Sequence, residues 1–290
     1  MLAGQELSLE LLDEIEARLA VFRADYGTDC PAEYTFANLY LFRRAHRYRY
    51  VPDRLCPRIE GRTYDGVGHV MPLVPLRCFG EAERRRILGD NACFFPIAEQ
   101  ELGFLDAATL RWSAQRSDSD YLYAIGNFID YRGSRLRKRR NLMQQLLAHH
   151  ELQCRPLTAD SLPDAQRILR LWLQDKDKAP GEADAGPCQE ALEQAARLRL
   201  KGWIYYASGA PAGFILVEAL GEAVQVVRFA KGSDRYKGIY PYMFHQFCSA
   251  LGGGIEWLNF EQDLGLENFR QAKLSYQPQR LLPKYRVVPA

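Results

Sequence analysis

The chain lacks long apolar runs, paired cysteines and any large net charge, and each absence removes a class of protein. No stretch approaches the roughly 18 apolar residues needed to cross a bilayer, so a lipid substrate would have to be met at a surface. Of the 7 cysteines no two stand as Cys-x-x-Cys, and the nearest pair, Cys78 and Cys93, is too far apart for a zinc knuckle. They read as reduced thiols of a cytoplasmic protein, one that would lie peripherally at a membrane if its substrate is a lipid. With 38 Lys and Arg against 36 Asp and Glu the net charge is +2, so attraction to a polyanion must come from a local patch. No histidine–carboxylate cluster has metal-ligand spacing and no Ser/His/Asp constellation is visible. No metal and no tightly bound cofactor is therefore expected. The first residues, MLAGQELSLELLDEIEARLAVF, are acidic and amphipathic, unlike a secretory signal.

What is present is ordinary globular material: 290 residues, 47% hydrophobic and 26% charged, enough for one large core or two of normal size. Apolar spacing predicts a helix over 8–24, N-capped by Ser8, and a second over 35–45. Strands follow over 47–51, 57–64 and 67–74, the last interrupted by Pro72 and so read as an edge. A charged helix over 80–89, an apolar run over 92–97 and a strand over 121–125 complete the first half. The second half is clearer. It reads as a strand over 152–156, a helix over 161–174, a loop with Pro180, Gly181, Gly186 and Pro187, and a helix over 187–201. Strands over 203–207, 213–219 and 224–230 come next, then a helix over 236–248, a strand over 255–260, a helix over 266–274 and a strand over 281–288. The first half is a weaker copy of this order.

Three stretches carry charge in a pattern that suits anions. The turn Arg235-Tyr-Lys237-Gly238-Ile-Tyr240 stands at a helix start, where unpaired N–H groups and a glycine would let a phosphate or carboxylate approach the backbone. Residues 132–140, RGSRLRKRR, hold six cations at the start of a helix with Ser134 as its N-cap. Arg137, Lys138, Arg139 and Arg140 there crowd the positive end of the helix dipole, which suits tRNA phosphate, a lipid headgroup or a carboxylate from elsewhere in the chain, or a solvated face compensated by Asp118, Asp120 and Asp130. Between Tyr40 and Arg62, seven arginines meet two acids and are interleaved with tyrosines; this suits phosphates and stacked bases, or an ordinary solvated sheet face. His245 lies mid-helix among aromatic residues and reads as a packed or surface histidine.

The order β-α-α-β-β-β-α-β-α-β of the second half resembles the superfamily of GCN5-related N-acetyltransferases. The C-terminal run Asn259-Phe-Glu261-Gln-Asp263-Leu-Gly265 to Arg270, Lys273, Tyr276 and Pro278, followed by Lys284-Tyr285, is similar to the family DUF2156. That family is in turn similar to the C-terminal domain of phosphatidylglycerol lysyltransferases. Glu33-Tyr-Thr-Phe-Ala-Asn38, residues 133–141 and Tyr236-Lys-Gly-Ile-Tyr240 agree with it. The resemblance implies an α/β protein with mixed sheets in two tandem acetyltransferase-like (GNAT-like) domains. These divide as residues 1–131, a basic linking helix over 132–150, and 151–290. It also implies an acyltransferase that takes an amino acid from aminoacyl-tRNA and passes it to a lipid, peptide or small molecule.

Acetyl-CoA users of the superfamily carry Gln/Arg-x-x-Gly-x-Gly/Ala at the pyrophosphate turn. Here Arg235 and Gly238 fit, but Tyr240 stands at the last small position and weakens a CoA thioester as donor. An acyl-CoA-dependent N-acyltransferase remains the first alternative, and a non-catalytic module binding RNA or anionic lipid the second. For transfer from an activated ester, Glu261 and Asp263 at a strand end suit proton transfer or recognition of an ammonium group. Lys273 and Arg270 suit a phosphate or the ester carbonyl, and Tyr276 a hydrogen bond to it. An alternative assigns Asp263 to capping the last helix, with Lys273 as its ion-pair partner.

Overall fold

The computed structural model describes residues 4–89, 92–178 and 184–290. In chain order the elements are β1 (Gln5–Glu6), α1 (Leu12–Tyr26), α2 (Phe36–Phe42), β2 (Arg49–Val51), β3 (Arg58–Arg62), β4 (Gly68–Pro72), α3 (Glu81–Leu88), β5 (Cys93–Ile97), α4 (Glu99–Leu102) and β6 (Leu110–Ala114). They continue with β7 (Asp120–Ala124), α5 (Gly126–Asp130), α6 (Arg137–His149), β8 (Leu152–Pro156), α7 (Leu162–Asp175), α8 (Ala185–Gln194), β9 (Lys201–Ala207) and β10 (Ala210–Ala219). The last six are β11 (Val224–Gly232), α9 (Ile239–Ala250), β12 (Trp257–Asn259), α10 (Glu267–Leu274), β13 (Arg280–Leu282) and β14 (Tyr285–Pro289).

Two compact units result. One comprises Met1–Asp120, Gln262–Arg270 and Leu281–Ala290; the other comprises Tyr121–Glu261 and Gln271–Arg280. Each holds a seven-stranded mixed sheet, ordered β1-β2-β3-β4-β5-β14-β6 in the first and β8-β9-β10-β11-β12-β7-β13 in the second. The orders correspond position by position. Each sheet has one parallel step among its described pairings, β4 beside β5 and β11 beside β12, spanned by α3 and α9 respectively. The sixth position is reciprocally exchanged: β14, from the end of the chain, lies between β5 and β6, and β7 lies between β12 and β13.

Local sequence accounts for most elements. Ile15, Leu19, Phe22 and Tyr26 repeat at helical spacing and form the buried face of α1. Thr35 caps α2, its Oγ1 accepting the Asn38 N–H at 3.3 Å. In the second unit residues 212–218 are buried without a break, as a central strand requires. Its core is largely aromatic, with Tyr121, Tyr123, Phe128, Tyr205, Phe244 and Tyr276 in one cluster. Val70, Phe79, Phe94 and Val287 belong to the core of the first unit.

Several expectations are corrected. Ser8 makes no side-chain cap, because the first turn is a 3₁₀ turn over Leu9–Leu11 that sets the Leu11 N–H on the Ser8 carbonyl at 3.1 Å. Ser134 does not cap α6, which starts three residues later with Leu136 in the cap position. β4 is an interior strand despite Pro72, which is tolerated because it is the strand's last residue. α8 begins at Ala185, with Gly186 and Pro187 inside its first turn, where a missing N–H costs nothing. Pro180 and Gly181 of the expected loop lie outside the described residues. The strand expected over 281–288 is two strands, β13 and β14, in different sheets, and β6 has no counterpart in the sequence reading. The arginines between Tyr40 and Arg62 largely serve their own unit. Arg58 is buried against Glu60 at 2.7 Å, Arg43 lies 3.7 Å from the Tyr40 ring centroid, and Arg62 reaches the Gly66 carbonyl at 2.9 Å.

The first unit contains a buried ionic centre built on Lys284. Its ammonium donates to Glu33 Oε1 at 2.6 Å, Asp120 Oδ1 at 2.8 Å and Gln262 Oε1 at 2.5 Å. Asp120 Oδ2 accepts the Ala32 N–H at 2.9 Å, while the buried Glu33 Oε2 has no hydrogen-bond partner among the described residues. Burial pushes the Glu33 carboxyl up to about 7 against the pull of Lys284, and Asp120 adds to the rise. Removing the ammonium with Lys284→Met should cost about 3–5 kcal/mol in urea unfolding, because two buried carboxylates lose their counter-charge. A carboxyl raised in the folded state stabilises fully below its unfolded value and loses that contribution as pH rises towards about 7. Glu33→Gln should therefore gain stability relative to the wild type between about pH 5 and 8. A difference that stays flat across that window contradicts the assignment.

Candidate active site

β12 pairs with β11 over only three positions, Val224 to Trp257, Gln225 to Leu258 and Val226 to Asn259. β11 continues to Gly232, whereas its described ladder with β12 ends at Val226 opposite Asn259, and from there the two strands part. Gaps of this kind at the carboxyl ends of strands are where α/β sheets admit ligands. A register shift against β10, with Leu216 opposite Phe229 but Val217 opposite Val227, leaves Arg228 as the extra, bulged residue. Bulges re-aim a side chain, and this one carries a guanidinium.

The Arg228 side chain is fully buried between two carboxylates. Its Nε donates to Glu218 Oε2 at 2.7 Å, and its Nη1 donates to Glu261 Oε1. Burial disfavours its charge, but Glu218 and Glu261 outweigh burial and hold the guanidinium charged. Glu261 is the most accessible member, with 20% of its side chain exposed against 10% for Glu218 and 0% for Arg228. Its backbone is left-handed, with φ +56°. The Asn259 side chain accepts the Glu261 N–H at 2.7 Å, and Lys273 Nζ donates to the Glu261 carbonyl at 3.0 Å and to that of Phe260.

The structure thus brings Glu261 and Lys273 together through the backbone of Glu261. Asp263 and Arg270 lie in the first unit and pair with each other, Arg270 Nε to Asp263 Oδ2 at 2.9 Å, while Asp263 Oδ1 accepts the Gly265 N–H at 2.9 Å. Asp263 is completely buried. Tyr276 is packed among Phe128 and Phe244, with the Arg139 guanidinium 4.4 Å from its ring centroid, and burial pushes its phenol up. Arg139 also bonds the Ser275 hydroxyl, and Arg140 the Tyr131 carbonyl at 2.5 Å. Arg137 and Lys138 point to solvent in an open groove of about 370 Å³ lined also by Ser134, Arg135, Asn141, Leu142 and Gln145. His245 bonds the Ile129 carbonyl at 2.8 Å and is half-buried.

Five N–H groups in the turn before α9 are taken up by its own contacts. Tyr240 Oη accepts the Gly232 N–H at 3.1 Å, the Asp175 carboxylate accepts that of Asp234 at 2.8 Å, and Ser233 Oγ accepts that of Arg235 at 3.3 Å. The N–H groups of Tyr236 and Ile239 bond the carbonyls of Ser233 and Tyr236 at 3.1 and 3.0 Å. Burial pushes the Tyr240 phenol up to about 12. Gly238 has φ +99°, and a Cβ there would overlap the Leu142 carbonyl. The glycine therefore serves the close packing of α6 against the start of α9. Arg235 and Lys237 are exposed.

Sequence reasoning missed Arg228, Glu218 and Asn259. The available signal was a single charge inside each of two apolar strands, VQVVRFA and FILVEAL. Buried Lys231, held by Asp184 at 2.7 Å and lying 3.6 Å from the Trp172 ring centroid, was missed for the same reason. Among the described residues no three potential metal ligands cluster, and no helix is long and apolar enough to cross a membrane.

Residues 28–288 match the family model described as phosphatidylglycerol lysyltransferase, C-terminal. No curated protein matches the sequence. Among solved structures, a conserved protein of unknown function from Bacteroides thetaiotaomicron aligns with TM-score 0.82 at 20% identity, covering 100% of both chains. A structure described as the C-terminal domain (DUF2156) of a lysylphosphatidylglycerol synthetase from Agrobacterium fabrum gives 0.62 at 15%, over 95% of this chain and 92% of that one. The L-PGS of Bacillus licheniformis gives 0.61 at 12%, over 98% and 93%. At these identities the likeness is one of fold, and it agrees with the two-sheet arrangement expected from the sequence.

Gly238→Ala tests the packing reading of the turn. It should cost at least about 1–3 kcal/mol for the left-handed backbone alone, measured by urea unfolding, with a further loss from overlap with α6. Wild-type stability in this variant contradicts that reading.

Proposed function

The chain belongs to the phosphatidylglycerol lysyltransferase C-terminal family, and we propose that it transfers an amino acid from aminoacyl-tRNA to a nucleophile on a lipid, peptide or small molecule. The observation that carries this donor choice is Tyr240, which stands where CoA users have a small residue and whose phenol accepts the Gly232 N–H. A CoA pyrophosphate needs free backbone N–H groups at that place. Here those of Gly232, Asp234, Arg235, Tyr236 and Ile239 are already bonded, two of them by the Tyr240 phenol and the Asp175 carboxylate.

An aminoacyl ester is already activated, and no covalent enzyme intermediate is required. The acceptor's oxygen or nitrogen attacks the ester carbonyl carbon, and the bond to the terminal ribose oxygen breaks. The ribose hydroxyl leaves with the proton that the nucleophile loses. What the protein must supply is position and charge complementarity. Glu261, fixed by Arg228 beside the gap between β11 and β12, suits the donor's α-ammonium group. An acetyl group carries no such cation. Arg137 and Lys138 of α6, with Arg135, suit the phosphates of the tRNA, to which Ser134, Asn141 and Gln145 add neutral hydrogen-bonding groups.

Thermal unfolding with separate additions of acetyl-CoA, uncharged tRNA and a panel of aminoacyl-tRNAs tests the donor. A ligand at about 100 times its Kd stabilises by about 2.7 kcal/mol. The expected result is a rise in Tm with one or more aminoacyl-tRNAs beyond the uncharged control. A rise with acetyl-CoA and none with charged tRNA transfers the protein to the acyl-CoA-dependent enzymes. Salt-sensitive binding of charged and uncharged tRNA alike would point to a binding module.

A further inference from the structure

We propose that Lys273 is a positioning residue for the transfer reaction, its ammonium holding the backbone of Glu261 in the conformation that aims the carboxylate at Arg228 and the gap beside β12. This rests on the reading of Glu261 as the group that meets the donor.

A lysine three residues before a tyrosine, near the end of the chain, suggests a ligand for phosphate or for an ester carbonyl. The ammonium instead turns back on the chain, 3.0 Å from the Glu261 carbonyl and bonded also to that of Phe260. Glu261 needs such restraint. A non-glycine residue at φ +56° is strained and persists only where its surroundings impose it. Two further bonds act on the same residue. Asn259 Oδ1 takes its N–H at 2.7 Å, and the Tyr121 N–H reaches its carbonyl at 3.2 Å. Both of these come from the adjoining strands. Lys273 is the contribution from α10, and the end of that helix is itself anchored where the Tyr123 hydroxyl donates to the Lys273 carbonyl at 2.9 Å. A charged donor shared by two consecutive carbonyls is stronger than a neutral one, and an apolar side chain in its place takes one partner away from each carbonyl.

If Lys273 acts through Glu261, its loss must matter only while Glu261 is present. The test compares Lys273→Met, Lys273→Gln, Glu261→Gln and the double variant Glu261→Gln/Lys273→Met in steady-state transfer. Amide hydrogen exchange at Glu261, read by NMR, is followed in parallel. Lys273→Met should lower kcat/KM for the donor about 10- to 100-fold, mainly through a higher donor KM, and the double variant should be no worse than Glu261→Gln. Lys273→Gln, which keeps a donor for a carbonyl, should fall between and keeps the test open if Lys273→Met does not fold. In either single variant at Lys273 the Glu261 amide should exchange at least about tenfold faster than in the wild type, with the core amides of β10 unchanged. Losses that multiply in the double variant, or Glu261 exchange that does not move, overturn the proposal. If the wild type transfers nothing from any aminoacyl-tRNA, the donor reading fails, and Glu261 exchange still decides the role of Lys273.

Discussion

A charge taken out of water must be met by partners on every side, and the first unit meets this demand at Lys284. Its ammonium gathers Glu33 from the segment before α2, Asp120 from the start of β7 and Gln262 from the chain just past β12. Arg286 does the same nearby, bonding Asp118 at 2.9 Å and Asp65 at 2.8 Å. These residues stand where the chain leaves one sheet for the other: Asp118 and Asp120 at the start of β7, Lys284 and Arg286 at the start of β14. The reciprocal exchange of β7 and β14 therefore depends on ionic pairings that are costly to break one partner at a time.

A similar constraint shapes the candidate site in the second unit. The bulge in β11 turns Arg228 inward, and a buried guanidinium requires carboxylates. Glu218 comes from β10 and Glu261 from the chain leaving β12, so the triad spans the place where the sheet parts. Glu261 answers Arg228 from a left-handed backbone that is bonded by Asn259, Tyr121 and Lys273. Strain, bulge and buried charge thus fall together at one point, as they do where a fold is shaped around a ligand.

Much of the fold was legible in the sequence, because helical and alternating spacing are local. The buried face of α1, the run of β10 and the turn before α9 all read directly. Destinations did not. A strand over 121–125 looks the same whichever sheet it joins, and nothing in Leu281 to Val288 marks the break that sends β13 and β14 to different sheets. The site was partly legible. Glu261 and Lys273 stood out, but the resemblance to a motif could not tell a side chain that faces a ligand from one that holds the backbone. Arg228 and Glu218 were hidden among apolar residues, where a single charge gives no period to read. Gly238 was found for a reason that the packing of α6 replaces: the absent Cβ makes room for Leu142.

The proposed transfer turns on a donor that presents an ammonium group to Glu261. Binding of a hydrolysis-resistant aminoacyl-adenosine amide, the terminal fragment of a charged tRNA, measures this without knowledge of the acceptor. Calorimetric titration of the wild type with fragments carrying different amino acids should give saturable binding for at least one. Replacing its α-ammonium by hydrogen, or Glu261 by Gln, should weaken that binding by about 10- to 100-fold, the range for a hydrogen bond to a charged group. Equal affinity for the fragment with and without its ammonium, or saturable binding of acetyl-CoA in its place, would contradict the account.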